Sequence, residues 1–166
     1  MQLMYLLSIT AAEKTIDLSS AYFVPDDMTT RALTDALRRG VRLSIIMPGK
    51  IIDSETVRAA SRGGWGPLLE AGAKLYEYQP TLYHCKVMII DQLLVSVGST
   101  NFDNRSFQLN DEANLNVFDN AFAAAQTEVF EDDLKRSRRV TLPEWESRPL
   151  KEKLLERLAR LGVSQL

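Results

Sequence analysis

Hydrophobic and polar positions along this chain alternate between two periods, and the switch from one to the other marks the elements. Residues 4–14 carry apolar side chains at helical spacing, and residues 15–23 follow as a strand closed by Pro25-Asp26-Asp27. Asp26 or Asp27 can cap the next helix, where Ala32, Leu33, Ala36 and Leu37 share one face and Gly40 takes the C′ position. Residues 41–47 form a nearly unbroken apolar run, the pattern of a strand buried on both faces, and Pro48-Gly49 ends it. Asp53 is a candidate cap for a helix through Ala60. A helical turn at 68–71, before Gly72, precedes a short strand at 74–78.

The second half reads differently. Strands at 84–90 and 94–98 stand close enough to pair through a tight turn at Asp91-Gln92-Leu93, and a further strand covers 113–118. Residues 121–138 form a long helix with Glu128 and Glu131 ahead of Lys135, Arg136 and Arg138, the order the helix macrodipole favours. Alternating strands and helices, followed by locally paired strands, predict an α/β fold with a mixed β-sheet sandwiched between helices. Past residue 140 the pattern breaks. The expected division is a catalytic half domain over 1–140, then an irregular linker at 141–149 and an amphipathic helix at 150–161.

Composition narrows the classes. The 166 residues suffice for one ordinary domain, and 45% hydrophobic with 25% charged content is usual for a globular chain. A net charge of −2 lacks the basic footprint of a nucleic-acid binder and argues against nucleic acid as a partner. One cysteine and one histidine argue against a disulfide and against a structural zinc site, so no metal is expected. No apolar run reaches the roughly 20 residues that span a bilayer, and the apolar start lacks the basic flank of a signal peptide. The expected location is the cytoplasmic side, with peripheral membrane association.

The candidate chemistry lies at Tyr83-His84-Cys85-Lys86 and Gly98-Ser99-Thr100-Asn101. On a strand, His84 and Lys86 point to one side, while Cys85 points into the opposite, buried layer as packing. Folding the hairpin about Gln92 sets position 84 opposite 100 and 86 opposite 98. Gly98 then leaves room for a substrate oxygen, and Ser99 and Asn101 bring polar groups beside the imidazole and the ammonium. Asp91 lies roughly 23 Å from His84 along extended chain, so it belongs to the turn rather than to the ring.

By themselves these residues have plainer readings. A lone histidine is more often structural, an Asn often caps a loop, and Asn110-Asp111-Glu112 can be a solvated turn. Arg105 can meet a substrate phosphate or pair with Asp103. Tyr76, Tyr78 and Tyr83 can line a cleft or fill a core. The helix at 150–161 sets Leu150, Leu154, Leu155, Leu158 and Leu161 on one stripe, fit either to cover its own domain or to dip into an anionic membrane.

Together the residues spell H-x-K-x4-D-x6-G-S-x-N, and here the chain resembles the phospholipase D superfamily. Tyr22-Phe23-Val24-Pro25-Asp26, Leu69-Glu70-Ala71-Gly72 and Asn101-Phe102-Asp103-Asn104-Arg105-Ser106 extend the likeness to the carboxy-terminal half of bacterial cardiolipin synthases. The resemblance implies two-step phosphoryl transfer without cofactor or metal. One motif histidine attacks phosphorus to give a phosphohistidine, and its counterpart in a second half protonates the leaving alkoxide. It places Lys86 and Asn101 on the phosphoryl oxygens, Ser99 beside them, and Glu112 as the carboxylate that orients His84. The family needs two such motifs, and this chain holds one. The implied partners are a phospholipid such as phosphatidylglycerol and a second phospholipase D-like half or homodimer mate. A phosphatidyltransferase forming cardiolipin, a nuclease or other phosphodiesterase, and a silent half for pairing or membrane docking are the three functions to separate.

Overall fold

The computed structural model describes residues 1–160 and 162, so Leu161 of the predicted stripe lies outside the described residues. The chain runs α1 (Gln2–Ala11), β1 (Thr15–Ser20), β2 (Phe23–Val24), α2 (Asp27–Arg38), β3 (Arg42–Pro48), α3 (Glu55–Gly63), α4 (Gly66–Glu70) and β4 (Lys74–Tyr78). It continues with β5 (Lys86–Ile90), β6 (Leu94–Gly98), β7 (Phe102–Asp103), α5 (Asn104–Gln108), β8 (Asn114–Phe118), α6 (Asn120–Lys135), β9 (Ser137–Val140), α7 (Leu142–Glu146) and α8 (Leu150–Arg160).

Seven strands form one sheet in the order β8-β6-β5-β1-β3-β4-β9. The central β1, β3 and β4 are parallel, and the others join antiparallel, so the mixed sheet predicted from the sequence is the sheet observed. Strand alternation sends Ile16, Leu18, Leu43, Ile45 and Met47 to one face, where Tyr5 and Ile9 of α1, Leu33 of α2 and Leu68 of α4 cover them. The opposite face is thinner, with Ile46, Ile89 and Val95 under Ala123 and Phe130 of α6. Tyr78 and Tyr83 are core residues of that second layer, not cleft walls.

The strand predicted at 15–23 breaks after Ser20. The Ser20 hydroxyl donates to the Tyr22 carbonyl at 2.7 Å, and Phe23–Val24 leaves the main sheet to pair with Phe102–Asp103. Asp26 caps α2 by accepting from the Thr29 N–H at 2.7 Å. Ser54, not Asp53, caps α3. The long helix α6 stops at Lys135 because Ser137–Val140 becomes an edge strand against β4. The segment expected to be an irregular linker contains α7, whose Trp145 donates its indole N–H to the Arg62 carbonyl at 2.8 Å.

Asp91 pins the hairpin that carries the motif. Asp91 and Gln92 both take positive φ, 52° and 53°, and the Leu93 N–H returns to the Ile90 carbonyl at 3.0 Å. The Asp91 carboxylate accepts from the backbone N–H groups of Glu13 (2.8 Å), Lys14 (2.7 Å) and Thr15 (2.7 Å), which ties the turn to the entry of β1. Partial burial pushes its pKa up, but these three donors outweigh that and hold it below the usual carboxylate range. Asp91→Ala is expected to cost about 1–2 kcal/mol, since three N–H groups lose an ionised acceptor but keep access to water. Because the folded pKa is depressed, the Asp91 contribution is present above the ordinary carboxylate pKa and fades as pH falls below it. Denaturant melts of wild type and variant at pH 7 and pH 3 should therefore converge at the lower pH.

Candidate active site

The site lies at the end of the sheet where β1 and β6 finish and β5 begins. Val87 pairs with Val97 and Lys86 with Ser20, so Lys86 opens β5 in a corner formed by three chain segments. His84 stands just ahead of that strand rather than inside it, and is exposed. The strand therefore starts two residues later than predicted. The β5–β6 ladder runs from Ile90 opposite Leu94 to Val87 opposite Val97, and counting that register outward sets Lys86 opposite Gly98 and His84 opposite Thr100.

His84 and Lys86 meet. Lys86 Nζ lies 3.3 Å from His84 Nδ1, within reach of a hydrogen bond from the ammonium whenever that ring nitrogen is unprotonated. The Tyr22 ring meets the imidazole edge-on, with centroids 6.4 Å apart and planes at 88°. Tyr22 donates its phenol to Asp53 Oδ2 at 2.9 Å; burial and this carboxylate together push its pKa up to about 12. Neither Tyr22 nor Asp53 carries a chemical role in the sequence reading. Tyr22 stood out only as part of the Tyr22–Asp26 run, and Asp53 only as a cap candidate.

Asn101 is held from behind. Its Oδ1 accepts from the Tyr22 backbone N–H at 3.3 Å, and its own N–H donates to Ser106 Oγ at 3.2 Å. The β2–β7 pairing builds this contact, because Phe102 also donates its N–H to the Tyr22 carbonyl at 3.1 Å. With the amide oxygen anchored, the NH2 end is the part left to a ligand. Tyr22 is thus the common neighbour of the imidazole and the amide.

Ser99 donates its hydroxyl to Glu112 Oε2 in a very short hydrogen bond and accepts from the Ala113 N–H at 3.1 Å. The other Glu112 oxygen accepts from the Asn110 amide at 3.2 Å. The hydrogen bonds among the described residues join Glu112 to Ser99 and Asn110, and none joins it to His84. It acts on the rim through Ser99 and through the field it exerts on Lys86. Slight burial raises the Glu112 pKa, but the bonds from Ser99, Asn110 and Ser106, with the nearby ammonium, bring it below its ordinary value. Burial in turn lowers the Lys86 pKa, opposed by Glu112, Cys85, Asp103 and Asp53.

Two expectations need correction, and one of the two readings of Arg105, its pairing with Asp103, falls away. Gly98 does not leave space for substrate: a Cβ there would strike the Ala113 carbonyl and the Asn114 side chain, so glycine is required by the close approach of β8. Cys85 is exposed rather than packed in the buried layer, because it precedes the ladder of β5. Arg105 is exposed on α5, and the ion pairs among the described residues join it neither to Asp103 nor to any other acid. Asp103 instead caps α5 by accepting from the Ser106 N–H at 2.7 Å.

What remains is an exposed imidazole beside an ammonium, with an anchored amide and a serine–carboxylate pair on the same rim. That set can grip a phosphoryl anion and offer it a nitrogen nucleophile. The family described as "Cardiolipin synthase, PLD-like domain" matches residues 5–134.

The chain belongs to this phospholipase D-like family.

Among its relatives, cardiolipin synthase A of Proteus mirabilis is 41% identical over 151 residues, which is 91% of this chain and 31% of that protein. Cardiolipin synthase 2 of Bacillus anthracis is 37% identical over 158 residues, covering 95% of this chain and 30% of the relative. The chain thus spans about a third of the length of the curated relatives it matches. Two solved phospholipase D-like folds agree with the architecture. The phospholipase D family member Nuc from Salmonella typhimurium superposes with a TM-score of 0.74 at 22% identity, over 84% of this chain and 90% of Nuc. Phosphatidylserine synthase from Haemophilus influenzae gives 0.78 at 16% identity, over 99% of this chain and 43% of that structure.

Proposed function

We infer that this chain is half of a phosphatidyltransferase that forms cardiolipin, and that His84 is one of a pair of histidines completing the site. The observation that carries this reading is the 3.3 Å approach of Lys86 to His84 on a rim shared with Asn101, in a chain 41% identical to a cardiolipin synthase. The chain has one histidine, so the second comes from another phospholipase D-like half or from a second copy related by a two-fold axis.

In the first step the free nitrogen of one histidine attacks phosphorus, forming an N–P bond as the P–O bond to the leaving alcohol breaks. The other histidine, protonated, gives its proton to the departing alkoxide. In the second step an acceptor alcohol loses its proton to that same histidine and attacks phosphorus, breaking the N–P bond and restoring both rings. Phosphatidylglycerol or a related phospholipid is the donor, a lipid or small alcohol the acceptor, and hydrolysis the side reaction. Lys86 and the Asn101 amide neutralise the phosphoryl oxygens as charge builds on them. Glu112 fixes the rim through Ser99. The protein works on the cytoplasmic face as a peripheral membrane enzyme; no helix among the described residues is long and apolar enough to cross a bilayer.

The test is transfer from labelled phosphatidylglycerol in vesicles, using the protein as it is made in its own cells. Cardiolipin and released glycerol are the expected products. Cleavage of DNA or RNA with no action on phosphatidylglycerol would replace the lipid reading with a nuclease. Lys86→Met should lower kcat/KM about 10²-fold or more, chiefly in kcat, because the lost cation acts on charge that grows toward the transition state. A rise in KM alone would instead reduce Lys86 to ground-state binding.

A further inference from the structure

Helix α8 is built inside out relative to an ordinary surface helix. Its inward face carries an acid: Glu156, 3% exposed, accepts from Arg62 Nε at 3.3 Å and from Arg148 Nε at 2.6 Å. Ala159 packs beside it against Val24, Val57 and Ala60, a cluster that Tyr22 also covers. The leucines face away from the domain, with Leu150 82%, Leu154 60% and Leu158 55% exposed. At 100° per residue these three occupy an arc of roughly 80° centred nearly opposite Glu156. Lys151 and the exposed Leu155 border the arc on one side, Arg157 and Lys153 on the other.

The charge on this helix reverses that of the chain. Lys151, Lys153, Arg157 and Arg160 are cations, whereas the chain as a whole carries −2. Its two acids are both drawn toward the domain: Glu156 is buried in ion pairs, and Glu152 lies 3.8 Å from Arg62. An open cleft of about 880 Å3 beside α7 brings Lys153 and Arg157 together with Leu150, Leu154 and Trp145.

From this arrangement we propose that α8 is a membrane-docking element that seats its leucine ridge in an anionic phospholipid surface. An apolar strip with cations on both borders matches the layering of a bilayer edge, hydrocarbon below and phosphate at the flanks. Pairing with a second copy through the same ridge would set the two basic borders against each other, a like-charge contact. Docking also suits the chemistry. Ala159, on the inner side of α8, and Tyr22, whose ring meets His84, pack against the same small cluster of Val24, Val57 and Ala60, which ties the seated helix to the side of the domain that carries the catalytic rim. The relevance to catalysis rests on phospholipid being the substrate; the docking itself does not.

The experiment compares the chain with Leu150→Ser/Leu154→Ser/Leu158→Ser and with Lys153→Gln/Arg157→Gln. All five side chains lie on the outward side and borders of the helix, and circular dichroism and melting should confirm unchanged folding. Sedimentation with vesicles of phosphatidylglycerol and phosphatidylcholine should retain wild type, about 10-fold or more less of the leucine variant, and progressively less wild type as salt rises. The basic variant should bind phosphatidylglycerol vesicles no better than pure phosphatidylcholine. Wild type that ignores the vesicles, or a leucine variant that binds as well as wild type, overturns the proposal. So does a leucine variant that changes only from dimer to monomer in solution, which would make the ridge an interface between copies. Turnover of a water-soluble short-chain phosphodiester reports the catalytic reading separately. Turnover without vesicle binding defeats docking alone, and vesicle binding without turnover defeats the catalytic reading alone.

Discussion

His84→Ala should reduce phosphatidyl transfer by about 10³-fold or more while leaving the melting temperature within about 1 °C of wild type. The loss is large because the imidazole forms or supports the bond to phosphorus, and no neighbour can replace it. Lys86 is an ammonium, and the Ser99 hydroxyl is committed to Glu112. The thermal effect is small because the ring is exposed and touches little beyond Lys86 and the edge of Tyr22. Cys85→Ser is the matched control. Its thiol is also exposed, adjacent in sequence and a nucleophile in principle, yet the rate should be unchanged. Initial rates on phosphatidylglycerol vesicles with both variants check this, and full activity in His84→Ala would make this half a silent partner.

The second large effect is on stability. Glu77→Gln should cost about 3 kcal/mol or more, a fall of roughly 10 °C in melting temperature for a domain of this size. Glu77 lies buried on β4 and is met by Arg62 at 2.8 Å, Arg58 at 3.1 Å and Arg138 at 2.5 Å. Removing its charge leaves three guanidiniums facing one another around a neutral amide. Arg62 also reaches Glu156, so the change should loosen the seat of α8 as well. By contrast Arg38→Ala, which breaks an exposed pair with Asp35, should change stability by no more than about 0.5 kcal/mol. Burial raises the Glu77 pKa, but the three arginines more than reverse it and hold it low. Its contribution is therefore intact above the ordinary glutamate pKa of about 4.3 and is lost as pH falls below that value. The gap between wild type and variant in thermal melts should shrink from pH 7 toward pH 3.

The sequence revealed what local pairing determines. A hairpin with a short turn has few registers, so Val87 opposite Val97 can be placed by counting, and distance alone assigns Asp91 to the turn. The mixed sheet followed from periodicity. Features that depend on distant segments were not readable. The Phe23–Val24 pairing with Phe102–Asp103 brings together residues almost eighty positions apart, and it is this pairing that anchors Asn101 against Tyr22. The settings of Gly98 and Cys85 escape the sequence for a related reason: the first depends on how closely β8 approaches, the second on where the ladder of β5 begins. The Glu77 cluster draws its arginines from α3 and β9, and no local pattern announces that an acid on a buried strand will find them. The leucine stripe of α8 was visible, but its direction was set by one glutamate finding two arginines.

Because the chain has a single histidine, its imidazole nitrogens give one unambiguous set of 15N signals. Titrating the protein with inorganic phosphate while following that set tests whether His84 and Lys86 grip one anion. The expected result is a saturable shift of the His84 signals that disappears in Lys86→Met. Signals that ignore phosphate in a folded wild-type protein, or that shift equally without the ammonium, would contradict a shared phosphoryl site at this rim.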